Sequence, residues 1–104
     1  MVSEVWVTAC TAGELPPKTM RAFDIGGHRI LLANLGGEIR AVAATCTHEV
    51  ADLSKGFLMG HRITCPLHLS QFDLHTGEPL SPPATEALRV YEVRVEAGLI
   101  QVRL

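Results

Sequence analysis

Two short segments concentrate the residues of this chain able to bind metal: Cys46-Thr47-His48 and Cys65-Pro66-Leu67-His68, with sixteen residues, 49–64, between them. Each segment offers one soft thiolate and one borderline imidazole. Two chemistries use such a donor set. A two-iron, two-sulfide cluster takes two thiolates on one iron and two imidazoles on the other; Cys46 and Cys65 would hold the first iron, His48 and His68 the second. One Cys-plus-His pair per loop fits that asymmetry, because each loop then straddles both irons. A tetrahedral zinc site also takes two cysteines and two histidines. Its usual spacings, however, place the cysteines together and the histidines together, whereas this chain mixes them. Pro66 biases Cys65 toward extended backbone and stiffens the turn that brings His68 round.

The remaining reactive residues keep blander company. Cys10 stands alone after a strand-like run and reads as a small apolar filler. An odd total of three cysteines argues against a disulfide framework. A mononuclear oxygenase site needs two histidines and a carboxylate with open positions. Only His28, His61 and His75 remain for it, scattered over strands and a turn, and each reads as a surface or hairpin histidine. No nucleotide or flavin motif is present, and one small domain leaves nothing over to form a substrate pocket. The chemistry available is one-electron transfer, not catalysis.

Short strands must position the two loops. At 104 residues the chain is one domain, 1–104, and 47% hydrophobic with 19% charged residues is globular composition. With a net charge of −2 and neither a basic stripe nor interleaved aromatics, nucleic acid is excluded as a partner. The apolar stretches are too short to span a bilayer. Met1-Val2-Ser3-Glu4 leads straight into a strand and does not read as a targeting peptide, so the cytoplasm is expected and no membrane. Val5-Trp6-Val7 opens the first strand. Thr11 to Pro17 reads as a turn or one helical turn closed by two prolines. Thr19 to Ile25 and His28 to Leu35 flank Gly26-Gly27, which suits a two-residue hairpin. Glu38 to Ala44 follows Gly36-Gly37; Phe57 to Met59 and His61 to Thr64 flank Gly60; Phe72 to Leu74 leads to a turn at Thr76-Gly77. Tyr91, Val93 and Val95 alternate with charged residues, and Ala97-Gly98 turns the chain into Leu99 to Leu104. Period two dominates throughout, which predicts an all-β antiparallel sandwich or barrel. Thr45 to Lys55 and Cys65 to Gln71 alone break the pattern, and both carry Cys and His.

The pattern C-x-H, sixteen residues, C-P-x-H, followed by Phe72 and the Thr76-Gly77 turn, resembles the Rieske family. More narrowly it is similar to the ferredoxins of bacterial multicomponent ring-hydroxylating oxygenases, and the likeness covers essentially the whole chain. The resemblance implies a Rieske fold of antiparallel sheets with a cluster-binding insert, here from about 45 to 74. It also implies a proline loop, Ser81-Pro82-Pro83, covering the cluster from a third side. Respiratory-complex members carry an additional cysteine in each cluster loop, paired as a disulfide; Val50 or its neighbours and Leu67 stand in those places here. Those members also place a serine and a tyrosine after the second histidine as donors to sulfur, where this chain has Ser70 and Phe72. Donors aimed at sulfur raise the potential, so losing one donor and the disulfide places the expected potential on the order of −150 mV. Ser70 is either such a donor or a solvent-bonded loop serine. Leu69 stands where relatives often have glycine, which makes the tip of the second loop bulkier.

An apolar collar surrounds the four ligands: Val50, Pro66, Leu67, Leu69, Pro82 and Pro83. It reads as a docking patch for transient partners or, equally, as packing that screens a cluster from water. Glu49, Asp52, Glu78 and Glu86 either add negative steering or are a solvated surface, the commoner case for any one of them. By resemblance the protein is a one-electron carrier with one Rieske [2Fe–2S] cluster, taking electrons from an NAD(P)H-dependent flavin reductase and passing them to a terminal ring-hydroxylating oxygenase. Two other readings stand beside it. One is a non-redox subunit of Rieske-like fold, as in small subunits of some nitrite reductases, which lack the ligands. The other is a zinc-stabilised binding module.

Overall fold

The computed structural model describes residues 5–47, 51–67 and 69–104. Nine strands lie among them: β1 Trp6–Thr11, β2 Thr19–Ile25, β3 His28–Asn34, β4 Ile39–Ala43, β5 Phe57–Met59, β6 Arg62–Thr64, β7 Gln71–Asp73, β8 Val90–Glu96 and β9 Leu99–Arg103. Six form one antiparallel sheet in the order β1-β9-β8-β4-β3-β2, and three form a second, β5-β6-β7. The larger sheet curls until its edge strands β1 and β2 meet. The architecture is the expected all-β one, and the predicted helical turn is a single 3-10 turn, Ala12–Glu14, closed by the Glu14 carboxylate accepting from the Thr11 N–H.

Hairpin chemistry sets the register. Gly26 and Gly27 both have positive φ, 55° and 81°, which is what a two-residue turn matched to right-handed strand twist demands. Ile25 then pairs with His28, and the ladder runs unbroken to Thr19 against Asn34. Beyond the turn, Asn34 satisfies its own loop. Its amide donates to the Leu15 carbonyl, and its side-chain oxygen accepts from the N–H groups of Gly36 and Gly37.

Two cores share one wall. Ile30 and Leu32 of β3, with Ala41 of β4, Ile25, Leu15, Tyr91, Ile100 and Val102, fill the inside of the curled sheet. Leu31 and Ala33 of β3, with Val42 and Ala44, face the opposite way. They pack against Leu53, Ile63, Phe72, Leu74 and Leu88 under the smaller sheet. Four consecutive apolar residues are therefore fully buried in β3. The alternation expected for a one-sided strand is replaced by the continuous apolar run of a strand covered on both faces.

The turn after β7 depends on one glycine. Gly77 sits at φ +77°, and a methyl group there would lie 2.2 Å from the Leu88 carbonyl oxygen. Its own carbonyl accepts from the Leu88 N–H at 2.7 Å. Gly77→Ala therefore combines left-handed backbone strain with a backbone clash, and a loss of about 1–3 kcal/mol is expected, measured by chemical denaturation. An unchanged midpoint would mean that this crossing is not closely packed.

Candidate metal centre

Cys46 and Cys65 enter the same core from different loops. Cys46 lies two residues beyond Ala44, and its N–H donates to the Ala51 carbonyl at 3.0 Å. Cys65 directly follows β6, and its N–H donates to the Ser70 carbonyl at 2.8 Å. Each cysteine thus opens a loop closed on itself by a backbone hydrogen bond. Their side chains are 5% and 0% exposed and belong to one apolar cluster with Leu53, Ile63, Phe72, Leu74 and Ala84. No disulfide joins the cysteines of the chain. His48 and His68, with Glu49 and Val50, lie outside the described residues; their neighbours Thr47, Leu67 and Leu69 lie within them.

A third segment straps the two loops together. The Thr47 hydroxyl donates to the Glu86 carbonyl at 2.7 Å, holding the first loop. The Ala84 N–H donates to Ser70 Oγ at 3.1 Å, holding the second. The Gln71 N–H donates to Ser81 Oγ at 3.0 Å, and the Leu80 N–H to the Gln71 carbonyl at 2.7 Å. The segment passes through a cis peptide between Pro82 and Pro83. Neither Thr47 nor Ser81 is assigned a hydrogen-bonding role from sequence, although a hydroxyl beside a proline turn, as at Ser81, is a recurrent backbone partner.

The structure also sorts the other candidates. Ser70 is fully buried, which overturns its reading as a solvent-bonded serine; accepting from Ala84 leaves its O–H free to donate. Phe72 is fully buried and has no hydrogen to give. Pro66 is half-buried, and Leu67, Leu69, Pro82 and Pro83 are exposed. Glu78 and Glu86 are exposed. Asp52 is not available for steering. Its carboxylate accepts from Ser54 N–H and Oγ at 2.9 and 2.6 Å, and from Arg29 Nη2 at 3.2 Å. The Ser54 hydrogen bonds, supported by Arg29, hold its pKa below the ordinary carboxylate range against the opposing effect of burial. Its contribution to stability is thus present at neutral pH and lost as acid titrates it through that depressed pKa. Cys10 faces the other core, and burial, reinforced by Glu14 and opposed by Arg21, pushes its thiol up. It is the filler expected.

Leu69 is held at φ +59° and is 62% exposed. A β-carbon in this region costs about 1–2 kcal/mol, while glycine costs about 0.5–1 kcal/mol in backbone entropy. Leu69→Gly is therefore expected to leave thermal stability unchanged or raised by up to about 1 kcal/mol, as measured by unfolding midpoint. A clear loss would show that the leucine packs within its own chain.

The two cysteines fit the thiolate half of a Rieske cluster. Two cysteines from separate loops are withdrawn from water in one core, and neither is committed to a disulfide. The sequence matches the Rieske [2Fe-2S] domain over residues 5–92, and the chain belongs to that family. It is 35% identical over 103 residues to the ferredoxin component of the naphthalene 1,2-dioxygenase system of Pseudomonas aeruginosa, covering 99% of both chains. Among solved structures it matches a chain from the complex of reduced oxygenase and oxidized ferredoxin in carbazole 1,9a-dioxygenase. That match has a TM-score of 0.89 and 37% identity, covering 96% of this chain and 94% of the other. The fold is shared more widely: a protein of nitrite reductase small-subunit type from Mycobacterium tuberculosis matches at TM-score 0.83 and 26% identity, covering 99% and 97%. Among the described residues no helix is long and apolar enough to cross a membrane.

Proposed function

We propose that the chain is the ferredoxin component of an aromatic-ring dioxygenase system. It accepts one electron from an NAD(P)H-dependent flavin reductase and delivers it to a terminal oxygenase, both in the cytoplasm. In this reading residues 1–104 are one domain with an insert from about 45 to 74. Cys46, His48, Cys65 and His68 hold one [2Fe–2S] cluster per chain, which supplies a one-electron couple when bound. The protein's own part is to hold the two loops still, exclude water and present a docking surface. Thr47, Ser70 and Ser81 fix the loops, and Ser70 has a proton left to give to an acceptor beside Cys65. Leu67, Leu69, Pro82 and Pro83, with Val50, form the surface that meets the redox partners.

The observation that carries this reading is the whole-chain likeness to a dioxygenase ferredoxin in both sequence and fold. The nitrite reductase type of subunit shares the fold at lower identity, and the presence of all four ligand types weighs against it. Mixed Cys/His pairs weigh against zinc. Purification decides among the three. The protein is expected to be red-brown, to contain acid-labile sulfide and to bleach with dithionite. A colourless protein holding one zinc would sink the proposal, and one holding no metal would favour the non-redox subunit.

A further inference from the structure

His61 and His75, scattered in sequence, are brought together by the pairing of β6 with β7. Arg62 pairs with Asp73, and the Leu74 N–H donates to the His61 carbonyl at 2.8 Å. The two imidazole rings stack with centroids 5.2 Å apart and planes 22° apart. Asp73 stands between them: one carboxylate oxygen is 3.5 Å from His61 Nδ1, the other 3.7 Å from His75 Nδ1. Those separations are too long for good hydrogen bonds. They are close to the ligand–ligand edge of a tetrahedron, about 3.3–3.6 Å when ligands lie 2.0–2.2 Å from a zinc ion, with one oxygen of Asp73 toward each imidazole. One ligand atom from each residue lies within 4.8 Å of the other two.

The surroundings of His75 suit one tautomer that a metal site requires. His75 Nε2 lies 2.7 Å from a Glu38 carboxylate oxygen. An Nε2–H donated there would leave Nδ1, on the Asp73 side, as the lone-pair nitrogen. A carboxylate bonded to the far nitrogen is the usual orienting partner of a metal-bound histidine. The arrangement is open to ions: the His61 and His75 side chains are 48% and 41% exposed, and that of Asp73 is 20% exposed. Burial pushes the Asp73 carboxyl up, but N–H groups of His75 and Thr76 and the nearby His61 and His75 more than offset it, so it is ionised at neutral pH. Arg40, whose charge reaches Glu38, is occupied with the Leu74 and His75 carbonyls at 3.3 and 2.7 Å.

We propose that His61, Asp73 and His75 form a second metal site for a late first-row divalent cation, best suited to Zn2+, with Glu38 as the positioning residue of His75. Two imidazoles and a carboxylate suit such an ion, and water completes the tetrahedron. The bound ion ties the start of β6 to the end of β7, and the Glu38–His75 contact joins that corner to the start of β4. This is separate from the cysteine loops and does not depend on the redox reading.

The test is equilibrium dialysis of the holoprotein against Zn2+, followed by zinc and iron analysis. About one zinc per chain is expected at full iron content, with a rise in thermal midpoint on zinc addition. His61→Ala and His75→Ala should each weaken zinc binding at least tenfold, and Glu38→Ala by about 10–100-fold, with the visible spectrum unchanged. Zinc binding that survives the paired His61→Ala, His75→Ala change would overturn the proposal. So would zinc gained only as iron is lost, which would place the ion on the cysteines, or no zinc bound at all.

Discussion

Cys65→Ser protein is expected to purify colourless, without iron or acid-labile sulfide, and with a sharply lower unfolding midpoint. Cys65 is fully buried at the end of β6, and its N–H is already committed to the Ser70 carbonyl. A serine hydroxyl there is a far poorer soft-metal ligand than a thiolate. It would leave a polar group inside an apolar cluster, at about 1–3 kcal/mol without a partner. Loss of the cluster adds to this, because metal binding free energy is folding free energy wherever the unfolded chain has no preformed site. Cys10→Ser is the matched control. It places the same substitution in the other core, and the colour, iron and sulfide should all be retained. A Cys65→Ser protein that kept full iron and sulfide would show that the thiolates have been assigned to the wrong loop.

The second large effect is purely mechanical. Phe72→Ala is expected to cost about 3–5 kcal/mol, which for a domain near 100 residues lowers the midpoint by at least about 12 °C. Phe72 is fully buried in β7, opposite Ile63 of β6 and bridged to Pro79. It belongs to the same cluster as Cys46, Cys65, Leu53 and Leu74. Removing its ring hollows the floor on which both cysteine loops rest, and neighbours pinned by two sheets relax little into the gap. Visible and far-ultraviolet melts of the holoprotein should therefore shift downward together. Phe57, on β5 and 61% exposed, supplies the comparison: Phe57→Ala should change stability by no more than about 0.5 kcal/mol. Equal effects at the two positions would refute the distinction between floor and surface.

Much of this was readable in one dimension, and the limits have physical causes. Gly26-Gly27 and the alternating runs give strands and hairpins, because turn chemistry and period two are local. The cysteine loops stood out because they interrupt that period. What local pattern could not show was which residues meet across a register. His61, Asp73 and His75 are dispersed along the chain and adjacent only once β6 pairs with β7. Asp52 read as a free surface charge because its partners, Ser54 and Arg29, depend on a 3-10 turn and a distant strand. Ser70 could be read as a buried donor or a solvent-bonded serine, because the segment that buries it arrives fourteen residues later, at Ala84. Val95 continues the alternation of β8 but is 52% exposed; β4 pairs with β8 only at Val90 and Tyr91, so β9 alone lies beside it.

The wall shared by the two cores bears on cooperativity. Residues 30 to 33 alternate between compartments, so any excursion that frees Leu31 and Ala33 from the cysteine-bearing side also disturbs Leu32 and Ile30 on the other. Sub-global opening normally follows boundaries where few contacts cross. Here the boundary is itself a central strand, hydrogen-bonded on both edges by β2 and β4. The part of the molecule that carries the cysteines therefore lacks an inexpensive local escape. It is expected to melt with the larger sheet as a single foldon.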